Sequence, residues 1–280
     1  MIIDTHVHIW EVPPVAPVGP TAPSFKGRHD GPGRAETLLE EMDEHGIDMT
    51  VVVQDSSATW DNGYVADEAR KHSDRFVGVG LLDPFDPENA TNARYWMMER
   101  GLRGFRFHPG YYDEPSIVRP ENRAMWDVLA ELNAVVQMHM PVSQAPQVDE
   151  IAREYPTIPI ILDHMSYPDV MDAPDFESHL PIFSLAQYAN VHVKISDTAR
   201  QSHDEFPHPA IQAVIKRLVN EFGIGRCMWG TGYPGKLRVD HGWPSMAEEL
   251  RFVREGLSWL TESERDRLLG GTAAEVWSLT

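Results

Sequence analysis

Short runs rich in β-branched residues recur along the chain, separated by longer stretches whose apolar positions fall three and four apart. Eight such runs are legible, at about residues 2 to 8, 50 to 54, 76 to 82, 102 to 107, 134 to 139, 159 to 164, 191 to 196 and 226 to 230. Strand-length runs alternating with amphipathic segments predict parallel strands joined by crossover helices. "PAIQAVIKRLVNEFG" shows the helical period most plainly, with Ile211, Val214, Ile215, Leu218, Val219 and Phe222 on one stripe. "ETLLEEMDEHG" repeats it with Leu38, Leu39 and Met42, and Gly46 supplies a C-terminal stop. Near the end, Thr261 and Glu264 form a capping-box pattern ahead of Leu268 and Leu269. Eight strand-and-helix units in roughly 250 residues is the size of a (β/α)8 TIM barrel. A doubly wound open sheet is the other α/β arrangement, but no glycine-rich nucleotide fingerprint follows the first strand.

The expectation is a single TIM-barrel domain over residues 1 to 280. One stretch interrupts its rhythm. Between Glu11 and Gly33 the chain carries Pro13, Pro14, Pro17, Pro20, Pro23 and Pro32, too long a segment for a plain connector. Leaving the C-terminal end of the first strand, it is expected to lie over the barrel mouth as a lid.

Side chains alternate across a strand, so in "IIDTHVHIW" Asp4, His6 and His8 share one face while Ile3, Thr5, Val7 and Ile9 share the other. The aliphatic set suits the helix side of a barrel, which turns the polar set inward with His8 nearest the C-terminal rim. The same alternation sends Arg106 and His108 inward from "GFRFH", Gln137 and His139 from "VVQMH", His164 from "IILDH", and His192, Lys194 and Ser196 from "VHVKIS". It sends Asp163 to the helix side, into a packing or capping role, and leaves His192 at the far end of the barrel. Several strands therefore end in inward polar groups at the rim where barrel enzymes keep their chemistry. Buried without partners, such groups would cost several kcal/mol apiece, so a metal, waters or a polar substrate is expected among them. Two imidazoles on adjacent inward positions, with a third from a facing strand, make a tripod for a divalent ion with an open position. His6, His8 and His164 are the first choice, with His139 next. Arg106 and Lys194 need anionic partners; Asp4 is one candidate and a substrate carboxylate another.

Composition narrows the partners. With 43 acidic and 24 basic residues the formal charge is -19, which repels phosphate backbones and anionic membranes, so neither nucleic acid nor a membrane is expected. Cys227, the single cysteine, excludes an internal disulfide framework and fits a reducing compartment. The sequence opens directly into a strand pattern and contains no apolar run of membrane-spanning length, so a cytoplasmic location is the expectation.

These segments resemble the amidohydrolase-related family, the branch of the amidohydrolase superfamily that includes dicarboxylate and sugar lactonases and non-oxidative aromatic acid decarboxylases. "DTHVHIW" is similar to its first-strand signature, "GLRGFRFHP" to its fourth-strand segment, "ILDHMSYP" to its sixth, "VHVKIS" to its seventh, "RCMWGTGYP" to its eighth and "LLGGTAAEVW" to its closing helix. The resemblance implies a distorted (β/α)8 barrel, with His6, His8 and His164 as ligands to zinc or manganese and Arg106 and Lys194 holding a substrate carboxylate. Some lactonases of this branch are thought to work without metal. The eighth strand departs from the pattern. Where the family usually ends it in an Asp that binds metal or carries a proton, this chain reads Gly230-Thr231-Gly232-Tyr233-Pro234.

The leading expectation is a metal-dependent hydrolase of a small carboxylated cyclic ester or related C-O or C-N bond. His108 and the rim aromatics Trp10 and Tyr233 would contact substrate, and His139, His241 or Asp240 would move the proton. The alternatives are a non-oxidative decarboxylase of an aromatic or unsaturated acid, and an idle binding protein on the same scaffold, which Gly232 favours. Barrels of this kind often pair, so a homodimer is also allowed.

Overall fold

The structure is a computed structural model that describes residues 1–11, 19–21, 33–56, 60–202, 204–232 and 242–279. Eight parallel strands form one sheet in sequence order: β1 (Ile3–Val7), β2 (Met49–Val53), β3 (Phe76–Leu81), β4 (Gly104–Phe107), β5 (Val135–Met138), β6 (Ile160–Leu162), β7 (Val191–Ile195) and β8 (Cys227–Trp229). A parallel bridge between Val7 and Gly232, with the His8 amide donating to the Gly232 carbonyl at 3.3 Å, brings the two ends of the sheet together and closes the barrel. Every strand predicted from the sequence is present.

Helices fill the crossovers, among them α1 (Ala35–His45), α2 (Gly63–Lys71), α3 (Asn89–Arg94), α4 (Arg123–Glu131), α5 (Ala145–Glu154), α6 (Leu180–Ser184), α7 (Thr198–Gln201), α8 (Pro209–Phe222), α9 (Met246–Arg251), α10 (Glu262–Asp266) and α11 (Thr272–Val276). α8 buries Ile211, Val214, Ile215, Leu218 and Phe222 of the predicted stripe and half-buries Val219. Gly46 ends α1 in the left-handed region at φ 68°, with its amide bonded to the Met42 carbonyl. Thr261 and Glu264 exchange side-chain bonds across the first turn of α10, as their spacing requires.

Two cores follow from strand alternation. Val7, Val52, Phe105, Phe107, Val136, Met138, Ile160, Leu162, Val193, Ile195 and Trp229 face outward and pack beneath the helices. The opposite rows, with Val51, Val53, Val77, Val79, Val135, Ile161 and Met228, form an apolar floor that Trp277 and Ala273 close from below. Ile3 joins that floor instead of the outer layer, beside the register shift that separates Asp4 from Val7 in the pairing of β1 with β2.

The ends of the proline-rich segment are clasped together, since Trp10 and Gly33 form an antiparallel bridge and the Trp10 amide donates to the Gly33 carbonyl at 2.9 Å. In between, the Thr21 amide donates to the Tyr111 carbonyl at 3.0 Å, beside the end of β4. The rest of the expected lid, 12–18 and 22–32, lies outside the described residues.

Candidate active site

The polar layer begins one step above the floor. On β5 the row runs from Val135 to Gln137 to His139; on β4 it rises through Arg106 to His108. At its centre is a buried ionic cluster. Arg106 Nε donates to Asp163 Oδ2 at 2.6 Å, and Lys194 Nζ lies 2.7 Å from Asp163 Oδ1. Lys194 also donates to Gln137 Oε1 at 2.9 Å and lies 2.9 Å from His6 Nδ1. Asp163 and Lys194 are wholly buried and Arg106 nearly so. Burial alone would raise the Asp163 carboxyl, but Lys194 and Arg106 overcome it and hold it well below the usual carboxylate range. Burial pushes the Lys194 ammonium down to about 8 against the pull of Asp163.

This placement corrects the expectation that Asp163 faces the helices. In β6 it is Ile160 and Leu162 that face outward, so Ile161 and Asp163 are the inward residues. Strict alternation would then turn His164 out. The strand instead stops at Leu162, and His164, Met165, Ser166 and Tyr167 all take positive φ, from 52° to 57°. That run of left-handed residues, a conformation that costs a non-glycine residue on the order of 1 kcal/mol, swings His164 back to the mouth. His164 Nδ1 lies 2.8 Å from Ser196 Oγ and its Nε2 3.3 Å from Arg106 Nη2.

His6 stands between two other imidazoles. His6 Nε2 and His8 Nε2 are 3.2 Å apart, and the His6 ring centroid lies 4.8 Å from that of His8 and 4.7 Å from that of His164. Two nitrogen ligands on one tetrahedral ion at the ordinary bond length are about 3.3 Å apart, so the first pair is spaced for a shared ion. Donor atoms of His6, Asp163 and His164 also lie within 4.8 Å of one another. His8 Nδ1 donates to the Val53 carbonyl at 2.8 Å, which leaves its Nε2 lone pair facing His6. Burial first, and Lys194 and Arg106 after it, hold His6 far below the usual imidazole range; His164 is lowered by burial and by Arg106. Neutral imidazoles are the form that ligates, so His6 with His8, and His6 with Asp163 and His164, each offer donors that fit a divalent ion. The one condition is at His6, where ligation through Nε2 puts the ring proton on Nδ1, facing Lys194 Nζ.

At the mouth, His139 Nε2 meets Tyr167 Oη at 2.6 Å while its Nδ1, like His108 Nε2, is buried and has no hydrogen-bond partner among the described residues. Burial and Arg106 push His139 down to about 3 and lower His108 strongly, so both are uncharged at neutral pH. Tyr111 stacks on His108 at 4.9 Å between centroids. Trp10 is buried against Gly33, where a Cβ would come within 2.9 Å of its ring. Asp4 accepts from the Thr231 amide at 2.9 Å, from Thr231 Oγ1 at 2.6 Å and from the His6 amide at 3.1 Å, so it ties β1 to the end of β8. His192 sits against the Asn190 carbonyl at the N-terminal end of β7, away from the site as expected. Tyr233, Asp240 and His241 lie outside the described residues.

Sequence reasoning missed Asp163, Tyr167 and Asp197 as members of the site. The signal for Asp163 was present, since two inward cations on central strands demand a buried anion. Tyr167 and Asp197 reach the mouth only through left-handed backbone after β6 and β7, at φ 55° and 56°, which no periodicity announces.

In barrels of this topology the catalytic groups stand on the C-terminal ends of the strands, and imidazoles from β1 and β6 beside a buried arginine place this one among amidohydrolase-type enzymes. The chain belongs to the amidohydrolase family, whose model matches residues 3–279. It is 25% identical to an L-fucono-1,5-lactonase of Burkholderia ambifaria, over 99% of this chain and 95% of that protein. Its fold is similar to that of a probable 2-pyrone-4,6-dicarboxylic acid hydrolase of Acinetobacter baumannii with citric acid bound, at a TM-score of 0.81 and 16% identity, covering 99% of each chain. It is similar as well to a zinc-bound amidohydrolase of Burkholderia multivorans, at a TM-score of 0.77 and 20% identity over the whole of both chains. Among the described residues no helix is long and apolar enough to cross a membrane.

Proposed function

We propose that the chain hydrolyses a small cyclic ester that carries a carboxylate. The observation that carries this reading is the buried Arg106–Asp163–Lys194 cluster set directly against the imidazoles of His6 and His164. Arg106 spends Nε on Asp163 and turns Nη2 toward His164. Its outer edge is thus held rigidly toward the mouth, where a carboxylate can take a charge-assisted pair. His108 Nε2 and His139 Nδ1 supply the polar contacts of the ring ester, because leaving a buried donor or acceptor unpaired costs about 1–3 kcal/mol. His139, uncharged and braced by Tyr167, donates its N–H to the oxygen that gains charge as the ring opens. Tyr111 and His108 offer a flat wall for the ring itself.

A divalent ion, zinc or manganese, would be held by His6, His8 and His164, and bound there it would supply a Lewis acid for the carbonyl and acidify water. The lactonase relative and the dicarboxylate hydrolase of like fold support a lactone substrate with an acidic group.

The test is a pH-stat assay with 2-pyrone-4,6-dicarboxylate and L-fucono-1,5-lactone, with carbon dioxide measured in parallel. Ring opening that releases acid without gas is the expected result. Gas release from an aromatic acid, with the lactones left intact, would replace the hydrolase by a decarboxylase. Arg106→Gln should raise KM for the dicarboxylate about 10- to 100-fold more than KM for the neutral sugar lactone, the worth of one charged hydrogen bond. Protein purified without added metal should carry one equivalent of zinc or manganese by elemental analysis, lost in His6→Ala.

A further inference from the structure

Tyr111, His108, His139 and Tyr167 form one continuous surface of rings at the mouth. Tyr111 stacks on His108 at 4.9 Å, His108 meets His139 at 5.0 Å, and His139 meets Tyr167 at 5.3 Å between centroids. These rings stand on the loops after β4, β5 and β6, so their spacing is set by how those loops pack on one another. The first two loops are matched: His108-Pro109-Gly110 follows β4 and His139-Met140-Pro141 follows β5. They meet two residues past each histidine. A Cβ on Gly110 would lie 2.6 Å from Pro141 Cδ and 3.2 Å from its Cγ, and the first of these is a distance that Cβ atoms do not adopt. Pro141 Cδ belongs to a ring closed on the backbone nitrogen, so it has no rotamer in which to retreat. Gly110 is not among the residues with positive φ, and the close approach alone is what demands a glycine there.

The far end of the loop after β4 does not yield either. Gln147 Oε1, on α5, accepts from the Ser116 amide at 3.0 Å and the Ile117 amide at 3.1 Å. Asn122 Nδ2 donates to the Ser116 carbonyl at 2.7 Å, and Asn89 Nδ2 to Asn122 Oδ1 at 2.9 Å. At the near end the Tyr111 amide donates to the His108 carbonyl at 2.9 Å, which ties residues 108–111 into a single turn. A wedge at position 110 is therefore passed to His108 and Tyr111.

We propose that Gly110 is a positioning residue of this site, whose lack of a side chain lets the loop after β4 lie on Pro141 and so sets the spacing of His108 and Tyr111 from His139. The proposal rests on the hydrolase reading above for its effect on rate, and on geometry alone for its effect on the imidazoles. To pass from 2.6 Å to ordinary contact at 3.4 Å the two loops must part by about 0.8 Å. A misplacement near 1 Å of a group that holds substrate costs as much as about 100-fold in rate.

The competing role is plain packing, in which a side chain at 110 lowers stability and leaves the rings where they are. Gly110→Ala separates the two when kcat/KM is measured per folded molecule, on whichever of the two lactones the wild type opens. A fall of about 10- to 100-fold is expected. Pro141→Ala removes Cγ and Cδ, so adding Gly110→Ala to that variant should cost less than about threefold. A Gly110→Ala value within about threefold of wild type overturns the proposal, as does an equal loss with and without the Pro141 ring. If Gly110→Ala alone does not fold, Pro141→Ala in the same chain should restore folding, and its failure to do so overturns the contact. A second measurement needs no turnover. In protein labelled with nitrogen-15 in its histidine rings, the His108 and His139 signals should move in Gly110→Ala, and in the double variant should lie close to those of Pro141→Ala. The His192 signal, from the other end of the barrel, should stay. Signals of His108 and His139 that stay in place while Tm falls overturn the proposal. A wild type that opens neither lactone ends the hydrolase reading, and the ring signals then decide the placement by themselves.

Discussion

The floor of the barrel and its rim are made by the same strands, a few residues apart, yet their stability has different sources. On β2, β3, β5, β6 and β8 the lower inward positions are Val51, Val53, Val77, Val79, Val135, Ile161 and Met228, all apolar and closed off by Trp277. One step higher on β5 and β6 stand Gln137 and Asp163, joined to Lys194 of β7 and Arg106 of β4. The floor holds by burial, which needs shape and no particular partner. The rim holds by mutual compensation, in which each buried charge is tolerable only while its partners remain. A residue removed from the floor leaves a hole; one removed from the rim leaves an uncompensated charge. That brittleness lies directly beside the imidazoles where the proposed chemistry is set.

The largest effect should come from Asp163→Asn. Losing the anion between Arg106 and Lys194 strands two buried cations and should cost about 3–5 kcal/mol, read from urea unfolding at pH 7. The difference from wild type should depend on pH in a definite sense. The folded carboxyl lies below its unfolded value, so the stability it contributes is fully present above the unfolded carboxyl range, near pH 4. It is lost as the pH falls from there toward the folded value. The two unfolding curves should therefore converge in acid; curves that stay parallel down to pH 2.5 or so would mean that the carboxyl is not held low by its partners.

Trp277→Ala, at the floor, should cost a comparable or slightly smaller amount, about 3–5 kcal/mol from lost contacts and a residual cavity. Unlike the rim change it should leave the pH profile of stability and the activity per folded molecule unaltered. A loss of activity per folded molecule would show that floor and rim are coupled. The smallest effect belongs to Tyr167→Phe. It removes one hydrogen bond to His139 at 2.6 Å, which should lower the rate about three- to tenfold through a looser imidazole, the worth of one ordinary hydrogen bond, and barely move Tm. A drop beyond a hundredfold would give the phenol a direct chemical part.

Much of this was open to a reader of the chain. The barrel followed from eight apolar runs spaced by amphipathic ones, and the inward rows of β4, β5 and β7 followed from simple parity, which put Arg106, His108, His139, Lys194 and Ser196 where they are found. Parity failed on β6. That strand is three residues long, and the backbone leaves the pleat at Asp163, so the rule assigned Asp163 to the wrong side and reached the right side for His164 by a route the chain does not take. The packing of Trp10 against Gly33 was not legible either, because the clasp between residues 10 and 33 depends on a long-range pairing.

Periodicity and residue type, which are local properties, determined the fold, the rim at which chemistry gathers and the histidines that gather there. Only the tertiary structure decided which charges neutralise one another and how His164 returns to the mouth. Those outcomes depend on distances between β1, β4, β6, β7 and β8, residues as far apart in sequence as Asp4 and Thr231, and on left-handed turns after β6 and β7 that only the surrounding packing can hold in place.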